Sequence, residues 1–461
     1  MRQTESIFKN CLIRYLSKLE PSPEQRKRIA EAAEEVLSVL HTLVKNEGLE
    51  NIVHNISVHG SFARDTWLPE NTDIDIFILF DLNLTFDKIQ AITERLSAQT
   101  ARLLGAVLET RFASHPYYIV KYKGVEIEIV PAYKVDNPRE IKTAVDRTPF
   151  HTDYVVARLS SKPELKNEIR FFKALLKRLG IYGAELEVRG FSGYLSEVLV
   201  ILHGGLLPLL FTASNWKPWR VLIPPEAPQK WRGAAPLVVL DPVDPRRNMA
   251  AAVGVEQLSK LIAFSRVFIH HPEILCCMME DWEEKVEYKL DKNVIIIRVL
   301  SHPPLVEDAL AGKTRRILDS TVNALSRNGF NVLRKLLVNI GGEFFLVIQL
   351  EQSELPPLEK REGPPVWHEN SLNFLKKWAF NTPPPFIEGD RWVVITQRRT
   401  RTAEEIIRTI LRAYAGFEWE IFSGDQITEK LEDKYSREIA YSLAGLEPWI
   451  TCLRRYLSGP G

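Results

Sequence analysis

Cysteine is scarce in this chain: four residues in 461, at Cys11, Cys276, Cys277 and Cys452. Their spacing matches no metal-ligand pattern and no disulfide framework, which argues against a secreted, disulfide-stapled scaffold and fits a reducing cytoplasm. Charge of one sign is lacking too. With a formal net charge of +1, any nucleic-acid partner must be met by a local basic surface, not by the field of the whole molecule. No apolar run is long enough for a membrane span. The longest, Val198 to Phe211, contains His203, two glycines and Pro208, and reads as a buried helix ending near Gly204. The N-terminus is charged and amphipathic, without a small-residue cleavage site, so no signal peptide is expected. Repeats and low-complexity tracts are absent. What remains is the composition of an ordinary globular protein, too long for one core and predicting about three domains.

The chemistry concentrates in one stretch, Val58-His59-Gly60-Ser61-Phe62-Ala63-Arg64, followed by Asp73-Ile74-Asp75-Ile76-Phe77-Ile78. In a strand, Asp73 and Asp75 project from one face, about 7 Å apart. Carboxylates held that close repel each other unless a cation sits between them, and magnesium, an oxygen-seeking ion that tolerates substrate phosphates, meets that need. Gly60-Ser61 ends the apolar run Ile52 to Val58, where a strand hands over to a helix and exposed N–H groups suit a phosphate. Asp-x-Asp alone is commonly two solvated acids on an edge strand. Here the alternating isoleucines bury both faces of the strand, and buried acids are rarely left unpaired. The combination predicts phosphoryl or nucleotidyl transfer.

Around this element the pattern predicts helices over 5–20 and from Ser22, where Ser22-Pro23-Glu24-Gln25 forms a capping box, then a helix of about 20 residues from Thr85. Strands follow at Ala106 to Phe112, Tyr117 to Lys123 and Val125 to Pro131. In the last, Glu126 and Glu128 share a face, and the strand alone does not choose which would join the aspartates. Residues 135–153 read as a loop, and about 165 to 275 as mainly helical. Past Pro272 strands return at Val294 to Leu300, Gly342 to Leu350 and Arg391 to Gln397, with helices near 313–328, 370–380 and from Thr402, where Glu405 offers a capping box. Basic clusters (Lys313/Arg315/Arg316, Arg334/Lys335, Lys376/Lys377, Arg398/Arg399/Arg401 and Arg454/Arg455) occur near Trp367, Trp378 and Trp392, a combination that suits an RNA-binding surface.

Gly60-Ser61 followed by Asp73-x-Asp75 and a later strand acid resembles the polymerase-beta-like nucleotidyltransferase superfamily. Longer runs narrow the resemblance: Ala144-Val145-Asp146-Arg147-Thr148-Pro149-Phe150-His151, Gly180-Ile181-Tyr182-Gly183-Ala184-Glu185, Val188-Arg189-Gly190-Phe191-Ser192-Gly193-Tyr194-Leu195, and Asp241-Pro242-Val243-Asp244 with Arg247-Asn248. These closely resemble the archaeal (class I) CCA-adding enzymes, tRNA nucleotidyltransferases. The resemblance implies an α+β multidomain fold. It comprises a nucleotidyltransferase head (1–150), a helical neck that recognises the nucleotide base (151–275), an RNA-binding body (276–355 and 416–461) and an inserted, tRNA-contacting tail (356–415). It implies untemplated addition of C, C and A to the 3′ end of tRNA from CTP and ATP, with Mg2+ and release of pyrophosphate, in the cytoplasm; a homodimer is left open.

Carried over residue by residue, Asp73, Asp75 and Glu128 would be the catalytic and metal-binding acids. Ser61, Arg64, Thr148, His151, Lys173 and Tyr182 would contact the triphosphate. Arg247 would read the base, since a guanidinium has donors only and meets the acceptors on the Watson–Crick edges of cytosine and adenine. Adjacent Arg246 fits a surface arginine. The order of the acids departs from the family pattern of glutamate and aspartate on the first strand and aspartate on the later one, which touches metal preference and rate. Rival expectations are another untemplated transferase, such as a poly(A) polymerase or an oligoadenylate synthase, a tRNA-binding protein without catalysis, and a small-molecule adenylyltransferase. The last leaves the C-terminal ~180 residues without a task.

Overall fold

The computed structural model describes residues 2–458 except 71, 72, 113–115, 281–289, 304, 425 and 446. Two units emerge: Met1–Glu283 joined by Glu447–Gly461, and Glu284–Leu446. The first opens with helices α1 (Arg2–Leu19) and α2 (Pro23–Asn46). The expected capping box starts α2: Ser22 Oγ accepts from the Gln25 amide at 3.1 Å, and the Gln25 side chain accepts from the Ser22 amide at 3.0 Å. Then come β1 (Val53–His59), a single helical turn α3 (Gly60–Ala63), β2 (Asp73–Phe80) and α4 (Phe86–Leu104). Gly105 ends α4 in the left-handed conformation that a glycine adopts without steric cost. Strands β3 (Val107–Phe112), β4 (Pro116–Tyr122) and β5 (Val125–Tyr133) complete a five-stranded sheet of order β1-β2-β5-β4-β3.

In that sheet β2 and β5 run parallel while the other neighbours are antiparallel. Ile74, Ile76, Ile78 and Phe80 pack with Ile127 and Ile129 under the apolar faces of α2 and α4. The period of two therefore sends Asp73, Asp75, Glu126 and Glu128 to the opposite face, where Phe77, Leu79, Val130 and Ala132 form a small cluster of their own. One face of the sheet builds the core and the other builds the site.

The loop expected across 135–153 is only partly a loop. A 3-10 turn at Ala144–Arg147 leads straight into α5 (Thr148–Ser161), so Thr148 and His151 stand on the first turn of a helix. Buried Asp146 makes the turn: its carboxylate accepts from the amides of Tyr133, Lys142 and Thr143 and from the Thr143 hydroxyl. Helices α6 (Leu165–Arg178), α7 (Gly193–His203) and α8 (Leu206–Ala213) follow. Next are the parallel pair β6 (Val221–Ile223) and β7 (Leu237–Val239), then α9 (Val255–His270) and α10 (Ile274–Met279). The long apolar run does break at Gly204, and α8 leaves at 93° to α7. Most of both helices lies in the core. Among the described residues no single helix is long and apolar enough to cross a membrane.

The second unit is built on a four-stranded antiparallel sheet, β14-β8-β10-β9, and a three-stranded one, β11-β13-β12. In chain order its elements are β8 (Val294–Ser301), α11 (Glu307–Arg327), β9 (Val332–Ile340), β10 (Glu343–Leu350), β11 (Leu358–Pro365) and α12 (Ser371–Trp378). They continue with β12 (Phe386–Glu388), β13 (Arg391–Gln397), α13 (Ala403–Leu411), β14 (Glu418–Ser423), α14 (Gln426–Lys430) and α15 (Asp433–Ala444). Four of these strands, β9, β11, β12 and β14, go beyond those read from the sequence. The capping box expected at Thr402 does not form: Thr402 precedes α13, but its side chain makes no capping bond.

The last helix, α16 (Pro448–Leu457), packs with α10 in the first unit, so the segment 416–461 expected to stay together is divided near Glu447. There Cys452 bonds Cys277, and Cys11 of α1 bonds Cys276, with Cα–Cα distances of 5.7 and 5.3 Å. The expectation of no disulfide framework is therefore corrected. Packing of α1, α10 and α16, not sequence spacing, brings each pair together.

Candidate active site

The strand register sets the centre of the site. Asp75 of β2 pairs directly with Glu128 of β5, and Asp73 with Glu126, all four on the face away from the helices. Glu126 is taken up by cations, with Lys121 Nζ at 3.2 Å and Arg111 at 3.3 Å. Glu128 has no such partner among the described residues. Its carboxyl is pushed up to about 7, chiefly by burial and then by the charges of Asp75 and Asp73. Burial also raises Asp75, with Arg64 opposing and Asp73 adding to the rise. Like charges crowded in low dielectric with too little cationic compensation are what a hard divalent cation relieves. Oxygen donors of this kind fit such an ion, although among the described residues no three His, Cys, Asp or Glu side chains are already gathered tightly enough to hold one.

Gly60 closes the floor. Its φ is +72°, and a Cβ there would lie 1.7 Å from Asp75 Oδ2. Glycine is therefore required twice, by backbone and by space. Above this floor is a cavity of about 360 Å³ walled by Arg64, Asp75, Glu128, Thr148, His151 and Tyr194. Four of the candidate triphosphate and metal residues from the β1–β2 and 144–151 stretches (Arg64, Asp75, Thr148 and His151) thus meet Glu128 in one space. Asp73 stands at the exposed start of β2, and Ser61 is half-buried on α3, neither of them on the cavity wall.

Lys173, Tyr182 and Arg247 also lie outside the wall. Lys173 is fully buried: Nζ donates to Glu197 Oε1 at 2.7 Å, to the Thr66 carbonyl at 3.0 Å and to Thr66 Oγ1 at 3.3 Å. Burial lowers its pKa against the pull of Glu197. Tyr182 packs its hydroxyl against Gly193, where an added Cβ would be 3.0 Å away. Exposed Arg247 donates through Nη1 to Asp241 Oδ2 at 3.0 Å. Arg246 is exposed and pairs with Asp244 at 2.8 Å.

Two acids given no role by the sequence organise these groups. Asp241, wholly buried, lies 2.8 Å from His151 Nε2, a contact that places the ring proton on Nε2, and accepts from Tyr194 at 3.3 Å as well as from Arg247. Burial pushes its carboxyl up, but the His151 bond and the Arg247 charge hold it below the usual range. The His151 ring stacks on Tyr194 at 3.8 Å. Glu197, the second, sits on α7 with no exposed surface and joins Arg64, Thr66 and Lys173. A lone carboxylate inside an apolar helix was the available signal for Glu197, and the Asp-Pro turn for Asp241.

In the second unit the basic clusters differ in availability. Arg398 and Arg401 are engaged by Glu359 and Glu354, whereas Lys376 and Lys377 on α12 are exposed, Lys377 lying over the Trp378 ring, and the rings of Trp367 and Phe380 are exposed too. Arg454 and Arg455 lie on α16, in the first unit.

Comparison with known proteins follows this division. Residues 38–151 match the family model of the nucleotidyltransferase domain, 167–277 that of the tRNA nucleotidyltransferase second domain, and 292–438 that of the CCA-adding enzyme C-terminal domain. The CCA-adding enzyme of Pyrobaculum islandicum is 35% identical over 85% of this chain and 90% of its own length. That of Methanoregula boonei is 32% identical over 84% of each. The Methanocaldococcus jannaschii enzyme is 31% identical over 81% of this chain and 84% of its own.

Proposed function

Because the chain belongs to the CCA-adding enzymes, a family of tRNA nucleotidyltransferases, we propose that Asp73, Asp75 and Glu128 are the acids with which it adds C, C and A to tRNA from CTP and ATP. The observation that carries this assignment is the pairing of Asp75 with Glu128 across parallel strands, facing a cavity lined by a buried arginine. In the reaction the terminal 3′-oxygen of the RNA bonds to the α-phosphorus of the triphosphate, the bond to the β-phosphate oxygen breaks, and pyrophosphate leaves. Mg2+ held by the three carboxylates would lower the pKa of that hydroxyl and offset the charge on the departing pyrophosphate.

The chain's own groups supply position and charge. Arg64, on the cavity wall, meets the triphosphate with Ser61 and Thr148, and the buried charge of Lys173 lies behind it. His151, its Nε2 proton directed at Asp241 and one ring face covered by Tyr194, offers the nucleotide the part of the ring on the cavity wall, and Tyr182, off the wall, would complete the contacts. Arg247 reads the base edge: its donors pair with the acceptors of cytosine and adenine, and a base presenting donors there leaves charge unmatched. Residues 1–150 act as the catalytic head, about 151–275 as the base-reading neck, and the second unit as the RNA-binding part, with exposed Lys376, Lys377, Trp367 and Phe380 suited to a phosphate backbone and to stacking.

The test is a tRNA lacking its 3′ terminus, incubated with each labelled triphosphate and Mg2+. Two CMP residues and then one AMP are expected. AMP alone, in long runs, would identify a poly(A)-type transferase, and no incorporation at all would leave only RNA binding.

A further inference from the structure

Glu197 is wholly buried near the cavity; its Oε1 is committed to hydrogen bonds, whereas its Oε2 accepts none among the described residues and meets Arg64 only as an ion pair. Oε1 accepts from Lys173 Nζ at 2.7 Å and from Thr66 Oγ1 at 2.5 Å, while Oε2 lies 2.7 Å from Arg64 Nε. The side chains of Arg64 and Lys173 are 7% and 2% exposed. One carboxylate from α7 thus links the end of α3, the turn after it and α6. An ammonium has three N–H donors, and Lys173 spends all three on Glu197 and the two oxygens of Thr66. It can turn to a phosphate only by giving up one of them. Arg64 is different: it pairs with Glu197 by charge, Nε lying 2.7 Å from Oε2 without a hydrogen bond, no bond from its guanidinium is seen among the described residues, and the side chain reaches the wall it shares with Asp75 and Glu128.

We propose that Glu197 is a positioning residue for the triphosphate: its charge, close to Arg64 Nε, holds the guanidinium beside the cavity, and it cancels the charge of Lys173 behind it. The inference rests on the reading of the cavity as the triphosphate site. Within the cluster two buried cations face one carboxylate, so Arg64 keeps charge that Asp75 feels across the cavity and that a further anion would meet. The triphosphate supplies that anion. Lys173 then acts at one remove, as the charge that keeps Glu197 in place, rather than as a direct phosphate ligand in this conformation. A neutral isostere cannot do the same work. In Glu197→Gln one oxygen still accepts from Lys173 and Thr66, but the neutral amide carries no charge to pair with Arg64 and turns an N–H2 dipole towards it, so Arg64 leaves its seat.

The experiment uses the full chain with calorimetric binding of CTP and ATP, steady-state kinetics on tRNA lacking its 3′ end, and thermal melting. For Glu197→Gln, Kd and KM for both triphosphates should rise about 10- to 100-fold, the worth of one or two bonds from a charged group. Affinity for tRNA should stay within about twofold of wild type, since Glu197 touches no surface. Glu197→Asp keeps the charge but is one methylene short of spanning both cations; it should melt close to wild type and still show raised triphosphate KM, which covers the case in which the glutamine variant does not fold. Arg64→Met should itself weaken triphosphate binding, and adding Glu197→Gln to it should change the affinity little further, because both act through one guanidinium. Wild-type triphosphate affinity in both Glu197 variants, losses that add in the double variant, or equal losses for triphosphate and tRNA would each overturn the proposal. Failure of the underlying reading would look different: the wild-type chain would add no C, C and A, whereas the calorimetric comparison would still report on Glu197.

Discussion

Replacing Gly60 by alanine separates the requirements of the fold from those of the chemistry. The new Cβ would lie 1.7 Å from Asp75 Oδ2, and since real contacts essentially never fall below 3.0 Å, the carboxylate must withdraw by about 1.3 Å. An l-residue held at φ +72° adds about 1–2 kcal/mol of backbone strain. Asp75 is the free end of a short side chain, so rotation relieves the clash without moving the sheet. Stability should therefore fall only by that strain, a drop in Tm of roughly 2–6 °C. The reaction fares worse, because displacing a catalytic group by about 1 Å costs on the order of 100-fold in rate. Circular-dichroism melting and single-turnover CMP incorporation, run on the same preparation, report both quantities. A variant that melts as expected yet incorporates CMP at a near-wild-type rate would refute the placement of Asp75 at the reacting centre.

Three other expectations follow from the site and the chain ends. Glu128, pushed up to about 7 mainly by burial and then by Asp75 and Asp73, keeps its proton in the folded state over a range where the unfolded chain has lost it. The cation-free protein should thus lose about 3 kcal/mol as pH rises from about 4.5 through 7. Mg2+ should bind more tightly across that rise and release a proton; melting curves at pH 5 to 8 with and without Mg2+ test this, and a loss on acidification over the same interval would contradict it. Asp241→Asn should free Arg247 and disturb the His151 tautomer, lowering the preference for CTP over UTP by about tenfold in competition assays; unchanged selectivity would mean that Arg247 needs no such anchor. Peptide mapping without reductant should recover Cys11 with Cys276 and Cys277 with Cys452, and Cys452→Ser should cost about 2–4 kcal/mol in a thermal melt.

How much of this the sequence disclosed depends on how local the cause is. The capping box at Ser22 and Gln25, the alternation in β2 and the glycine turn before it are set by residues within a few positions of one another, and all were legible. So was the nucleotidyltransferase head, because the acid pair and the Gly-Ser turn lie close together in one stretch. Helix α5 was missed because the Asp-Arg-Thr-Pro composition of 146–149 reads as a turn; proline in a first helical turn lacks only an N–H that would be unpaired there anyway. Strands β11 and β14 were missed for another reason: β11 carries Glu, Lys and Arg and β14 two glutamates, which blur the apolar period. The roles of Glu197 and Asp241 depend on partners up to 133 and 90 positions away, and Cys11 meets its partner 265 positions on. No local pattern encodes such meetings. They are products of how the helices pack.

The assignment of the chemistry to the acids on β2 and β5 is tested most directly by Asp75→Asn, a change of one charge with almost no change of shape. Wild type and variant would be given a tRNA ending at the position before the first C, with CTP, ATP and Mg2+, and the extended RNA sequenced to its last nucleotide. The account predicts C, C and A at every wild-type end and bare ends from the variant, although the variant still binds the tRNA. Full extension by Asp75→Asn, or wild-type ends carrying runs of A, would contradict it.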